Sequence, residues 1–369
     1  MAPEREAAID TFLAASGWGA AERAPLPGDA STRRYMRLAM NGRKAMLMDQ
    51  PPSAETPPAP SHATPEERRA LGYNAVARLA GADCARFVAA SNYLRRQGLS
   101  APEILAADPV QGFAIIEDLG DSLYADVARP HNEAALYGAA ADVLARLHAD
   151  RAPAKLPPDK DLHAFDETAL IAETDLLPEW LMPVALGRKA RSDEIEEHRA
   201  LWRETLADAL KAEPVFVHRD YHAQNLLWLP DREGVARVGL IDFQDAVAGP
   251  KAYDLISLVE DARRDVAPRI AEATTAHYLA AMRAQGTPLD EEAFRGQMAV
   301  MAAQRNAKIA GIFARLYKRD GKARYLGYLP RVWGHLNRDL EHPMLTRVKA
   351  WYDRTIPLEA RRAPQGEIA

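Results

Sequence analysis

One cysteine, Cys84, is all the chain contains. A lone thiol closes no intrachain disulfide and builds no cysteine-ligated zinc centre, and residence in a reducing cytoplasm is the expectation that follows. Apolar residues never run for the ~20 positions a membrane helix needs, so no span is expected. The opening stretch MAPEREAAIDTFLAASGW is charged and amphipathic and lacks the unbroken apolar core of a signal peptide. Positive charge is not in excess either. Lys and Arg number 47 against 52 Asp and Glu, for a net charge of −5. A dedicated nucleic-acid binder would normally be basic, so none is expected, although a local basic pocket for a small anionic substrate stays open. The phosphate-binding pattern Gly-x-x-x-x-Gly-Lys-Ser/Thr is missing, which excludes that nucleotide loop. There is no internal repeat, and nothing points to an obligate protein partner.

What is present suffices for more than one compact core: 369 residues, 48% of them hydrophobic. Residues 4–16 read as an amphipathic helix stopped by Gly17. RYMRLAM and KAMLMD read as strands joined by Asn41-Gly42, a strong hairpin signal. PPSAETPPAPSHATP holds six prolines in fifteen residues, so 51–65 is a surface loop rather than a helix or central strand. Helices follow at about 65–80 and 85–97, then a strand pair in PEILAAD and GFAIIEDLG. Beyond Gly120 the apolar period lengthens to that of a helix, with Leu136, Ala140, Val143, Leu144 and Leu147 on one face. The expected fold class is therefore α+β, with a β-rich domain at 1–117 and a larger helical one at 118–369. The tail after about 355 is expected to be loose, and Trp180, Trp202 and Trp333 to be core.

The chemistry concentrates in VFVHRDYHAQNLLW, residues 215–228. A strand runs into His-Arg-Asp, and five positions after Asp220 comes Asn225, then a second strand. Downstream, ARVGLIDFQDAVAGP is an apolar strand ending in Asp242. Any one of these residues alone is better explained as a turn cap or a strand end. The ordered set, with strands on both sides, is the phosphoryl-transfer constellation. Asp220 is placed to accept the proton of an attacking hydroxyl. Asn225 and Asp242 offer oxygen ligands to Mg²⁺, which favours oxygen and substrate phosphates.

That pattern resembles the aminoglycoside phosphotransferase/choline kinase branch of the protein-kinase-like fold, over about residues 25 to 340. Phe243-Gln244 follows Asp242 where protein kinases have Phe-Gly, no Ala-Pro-Glu follows, and GPKAYDLISL resembles the small-molecule kinases' helix start at Asp254. Within that branch, GDASTRRYMRL, MLMDQPP, HRDYHAQNL, LIDFQDAVAGPKAYD and GIFARLYKRDGKARYLGYLPR together resemble the bacterial anomeric sugar kinases of cell-wall recycling, which act on N-acetylmuramate and N-acetylglucosamine. The resemblance implies a bilobal protein-kinase-like fold, ATP as phosphoryl donor, Mg²⁺ as cofactor and an amino-sugar acceptor. It puts adenine against backbone groups of Glu117 and Leu119, and the phosphates under the Gly28-Asp29-Ala30-Ser31 turn. The usual third-strand Lys is missing: Met46 or Met48 stands there, Lys44 sits at the strand start, and Arg33 or Arg34 is a candidate substitute. Glu66 and Glu67 are candidates for that cation's partner, or simply complement a helix dipole. The acceptor side would include His222, Gln224, Gln244, Asp245, Arg305 and Lys308, although basic residues between 304 and 319 also suit a solvated helix face. Another small acceptor (choline, a methylthio-sugar, homoserine or an aminoglycoside) and a nucleotide-binding pseudokinase remain alternatives.

Overall fold

The structure is a computed structural model that describes residues 3–27, 33–52, 58–81 and 83–361. The chain divides into two compact units: Met1–Ala128 with Pro153–His163 and Gln224–Ala246, and Arg129–Ala152 with Ala164–Ala223 and Val247–Ala369. The sequence reading put one boundary after 117. The segment around 224–246 joins the first unit because backbone bonds hold it there: Leu240 N–H donates to Ser100 at 2.9 Å and Trp228 N–H to Ser122 at 2.8 Å.

The first unit opens with α1 (Pro3–Ala15) and carries an antiparallel sheet in the order β1-β2-β3-β5-β4, with β1 Glu22–Pro25, β2 Arg34–Met40, β3 Arg43–Asp49, β4 Ile104–Asp108 and β5 Phe113–Ile116. Asn41 and Gly42 both have positive φ (52° and 75°), the conformation a two-residue hairpin turn requires. Side chains alternate across the sheet. Met36, Leu38, Ala45, Leu47, Phe113 and Ile115 form one core with Ile9, Phe12, Leu13 and Trp18. The opposite face presents Tyr35, Arg37, Met46 and Ile116 to a pocket. The helix expected over 65–80 is two pieces. In α2 (Pro65–Leu71) Thr64 and Glu67 form a capping box, and the run breaks at Gly72 before a wider turn at Asn74–Arg78. Next comes α3 (Cys84–Arg96).

The second unit is helical, apart from a strand pair, Val215–Val217 with Val247–Gly249. Its main helices are α4 (Glu133–His148), α5 (Glu167–Thr174), α6 (Ser192–Ala209), α7 (Ala252–Val259), α8 (Pro268–Ala284), α9 (Glu291–Asp320), α10 (Leu329–Asp339) and α11 (Thr346–Thr355). The expected face of α4, from Leu136 to Leu147, is buried throughout. Asp290 caps the start of α9, and Gly321 closes its end in the left-handed conformation. Trp202 and Trp333 are buried as expected, and Trp180 is half-buried. No helix among the described residues is long and apolar enough to cross a membrane.

Candidate active site

In the second unit, the strand Val215–Val217 delivers His218, Arg219 and Asp220. Asp254, fully buried at the start of α7, accepts the backbone N–H of His218 at 2.6 Å and of Arg219 at 2.9 Å. Arg219 has a φ of 76°, which a non-glycine residue adopts only where its surroundings hold it there. The two bonds to Asp254 and an ion pair between the Arg219 guanidinium and Glu173 supply that hold. Burial pushes the Asp254 carboxyl up to about 7, with the two N–H donors opposing.

Asp220 opens on a recess of about 90 Å³ together with His222, Asp261, Arg263, Arg305 and Lys308. Three of the acceptor residues expected from sequence thus meet the expected base. Burial alone would lower the Lys308 ammonium. Glu173 at 2.8 Å and the field of Tyr253 hold it above its ordinary value instead, so its charge is already committed. Arg305 is buried and donates to the Glu260 carbonyl at 3.2 Å. Burial lowers the His222 imidazole, leaving it neutral near pH 7. Asp261 and Arg263 were not singled out from sequence. Their only signal is the charged run EDARRD directly after α7, which looks like an ordinary surface turn.

Asn225 and Asp242 belong to the first unit. Both line a pocket of about 370 Å³ whose other walls include Leu26, Met46, Phe87, Ile116, Leu119 and Leu227. Asp242 also has positive φ, 64°. Arg33, buried in the same pocket, donates to Asp242 at 2.7 Å and to the Gln244 side-chain oxygen. Burial opposes the Arg33 charge, and Tyr35, Asp242 and Asp245 more than offset that. Arg34 instead bonds Asp49 at 2.6 Å, and Lys44 is exposed. Of the two candidate substitutes for the missing lysine, only Arg33 shares a pocket with Met46. Glu67 is committed to the capping box and Glu66 to Arg69.

Other expected residues stand elsewhere. Glu117 lines the pocket, but its N–H is bonded to Glu103 and its carboxylate to Arg232, while the N–H of Leu119 makes no hydrogen bond among the described residues. Gln244 is held by Arg33 and Asp242, Asp245 pairs with Arg78 at 2.9 Å, and Gln224 is exposed; none of the three lines the recess beside Asp220. Gly28, Asp29, Ala30 and Ser31 lie outside the described residues. No group of three or more His, Cys, Asp or Glu among the described residues could hold a metal. Asp242 keeps a 39% exposed side chain beside Asn225 in the pocket lining, and one carboxylate with one amide oxygen fits a cation that takes its remaining ligands from phosphates and water.

The loop braced by Asp254 and the pocket lined by Asn225 and Asp242 carry the residues expected of a kinase-like phosphotransferase. The chain belongs to the phosphotransferase enzyme family, whose model matches residues 22–289. It is 46% identical to the N-acetylmuramate/N-acetylglucosamine kinase of Caulobacter vibrioides, over 98% of this chain and 99% of that one. It is 34% identical to the enzyme of the same name from Pseudomonas aeruginosa, over 90% and 88% of the two chains. Among solved structures, a microcompartment-associated aminopropanol kinase shares the fold with a TM-score of 0.59 at 14% identity, covering 90% of this chain and 98% of that one. An ADP-bound aminoglycoside phosphotransferase does so with a TM-score of 0.54 at 15% identity, covering 94% and 99%. The fold is thus the protein-kinase-like α+β fold of this family.

Proposed function

We propose that this phosphotransferase moves the γ-phosphoryl group of ATP to the anomeric hydroxyl of N-acetylmuramate and N-acetylglucosamine, giving the sugar 1-phosphate, in the cytoplasmic recycling of cell-wall sugars. The observation that carries this is the recess itself: Asp220, on a loop braced by Asp254, shares it with the cations Arg263 and Arg305. The names of relatives up to 46% identical over nearly the whole chain support the choice of sugar. Asp220 accepts the hydroxyl proton. An anomeric hydroxyl is more acidic than an ordinary alcohol because the ring oxygen withdraws electron density, so a carboxylate base suits it. Neither Arg263 nor Arg305 has an ion-pair partner among the described residues, which leaves both charges for the lactyl carboxylate of N-acetylmuramate. Lys308, the other cation expected from sequence, is spent on Glu173.

On the nucleotide side, the apolar walls of the 370 Å³ pocket receive adenine, with the Leu119 N–H as a donor to its edge. Arg33 stands in for the missing lysine and pairs the phosphates. Asn225 and Asp242 would hold Mg²⁺, which neutralises charge on the phosphate oxygens when bound. Only four residues of chain separate Asp220 from Asn225, so one short loop serves both substrates.

The test is a panel assay with ATP and Mg²⁺ on N-acetylmuramate, N-acetylglucosamine, choline and kanamycin, with the product read by ³¹P NMR. The expected product is acid-labile, and its phosphorus is coupled to the anomeric proton. Phosphate on the 6-hydroxyl, or turnover of choline or kanamycin with both N-acetyl sugars ignored, overturns the assignment.

A further inference from the structure

Two residues that line the recess beside Asp220 each carry a buried polar atom with no hydrogen bond among the described residues: Nδ1 of His222 and Oδ2 of Asp261. The residues are 6% and 1% exposed. Their other polar atoms are used locally. The Arg263 guanidinium lies 3.2 Å from His222 Nε2, and the Arg263 N–H donates to Asp261 Oδ1 at 2.8 Å. A guanidinium only donates, so Nε2 is the acceptor, and in the neutral ring the hydrogen sits on Nδ1. The lining residues therefore hold one unmet N–H donor and one unmet carboxylate acceptor. Leaving both unmade in a buried place is unfavourable, and a ligand carrying the complementary pair relieves it.

We propose that His222 and Asp261 form the subsite for the 2-acetamido group of the sugar, with His222 Nδ1–H donating to the acetamido carbonyl and Asp261 Oδ2 accepting its N–H. The assignment rests on the amino-sugar reading above and deepens it. An acetamido group offers one donor and one acceptor on separate atoms. A 2-hydroxyl offers both on a single oxygen, without the carbonyl that carries the acetamido acceptor two bonds further from the ring. A 2-ammonium only donates, so it leaves His222 unmet and sits against the Arg263 charge. The placement follows from the chemistry. C2 adjoins the anomeric carbon whose hydroxyl Asp220 deprotonates, so the substituent on C2 falls into the recess that Asp220 shares. At about 90 Å³ the recess is far smaller than the roughly 300–1,000 Å³ of pockets that enclose whole ligands, and it suits substituents of the sugar rather than the whole ring.

The test compares N-acetylglucosamine with its 2-ketone isostere, in which CH₂ replaces the amide N–H, for the full-length enzyme and for Asp261→Ala. The wild type is expected to prefer the amide in kcat/KM by about 10²-fold or more, because the isostere leaves a buried carboxylate unmet. In Asp261→Ala the amide should fall to the level of the isostere, whose own kcat/KM moves less than about threefold, so the loss appears as a coupling between residue and substrate group. Equal use of the two sugars by the wild type overturns the subsite, and that arm needs no variant to fold. An equal loss on both sugars in a folded Asp261→Ala that still binds ATP also overturns it, because Asp261 is then structural. Turnover of neither N-acetylglucosamine nor N-acetylmuramate by the wild type sinks the amino-sugar kinase reading itself, and this subsite with it.

Discussion

Arg33 and Arg34 are neighbours in sequence with opposite engagements. Arg33 turns to Asp242 and Gln244 in the pocket that Met46 lines, and Arg34 turns to Asp49, which Arg5 also holds at 2.6 Å. Strand alternation separates them, but which of the two faces the pocket depends on register, and sequence alone left both open. Arg33→Met should therefore raise the KM for ATP by roughly 10- to 100-fold, the loss of a charge-assisted hydrogen bond, while Arg34→Met leaves it within about threefold; steady-state kinetics at saturating acceptor decides. If Arg34→Met carries the larger effect, Arg33 is not the substitute cation. Asp220→Asn should lower kcat by roughly 10²- to 10⁴-fold, the range for a positioned base, with ATP affinity by calorimetry unchanged. Near-normal turnover would remove Asp220 from its role. Asp220, Asn225 and Asp242 were readable as candidates because their spacing is local to two short segments. Asp261 and Arg263 were not. Their recess is built by α7, α9 and the catalytic loop, and no spacing along the chain encodes that meeting.

At the scale of elements, legibility followed the strength of local signals. The β2–β3 hairpin was readable from Asn41-Gly42, and α4 from its apolar stripe. Strand β1 was missed: Glu-Arg-Ala-Pro has no β-branched or aromatic residue, and it pairs only because it lies at the sheet edge, where proline is tolerated. Gly311, within the 30-residue α9, shows the same limit. A Cβ on Gly311 would stand 2.3 Å from the backbone carbonyl carbon of Leu176, so the helix crosses that backbone closer than any side chain allows. Gly311→Ala should destabilise by about 1–3 kcal/mol through overpacking, despite alanine's higher helix propensity. Gly334, exposed in α10, has nothing within 4 Å of such a Cβ. Gly334→Ala should be neutral or gain up to about 1 kcal/mol. Denaturant unfolding of the two variants side by side checks the pair, and a stabilising Gly311→Ala would show that the crossing is looser than the geometry gives.

Across the whole molecule, the stability profile against pH depends on groups that no motif marks. His148 is one of them. It is buried, with Nδ1 2.8 Å from the Tyr278 hydroxyl, and burial pushes its pKa down to about 3. Burial also lowers His198 and His222. The unfolded chain protonates these rings below about 6.5. Between there and about 3 the folded His148 holds fewer protons than the unfolded one, so the stability it contributes is present above the unfolded pKa and is lost as the pH falls. Asp254 and Asp339 act with the opposite sign. Burial raises both, Asp254 to about 7, so below that value the folded chain holds protons that the unfolded chain has released, and acidification favours the fold. The wild-type curve is the difference of these opposed terms, and the informative measurement is a comparison. His148→Gln should be less stable than wild type at pH 7, where the bond to Tyr278 is disturbed. From pH 6.5 to 5 that gap should narrow by about 2 kcal/mol, because the variant no longer takes up a proton on unfolding there. Denaturant titrations of both proteins at half-unit pH steps read the gap directly, and one that stays constant or widens toward pH 5 would mean that His148 is already protonated in the fold.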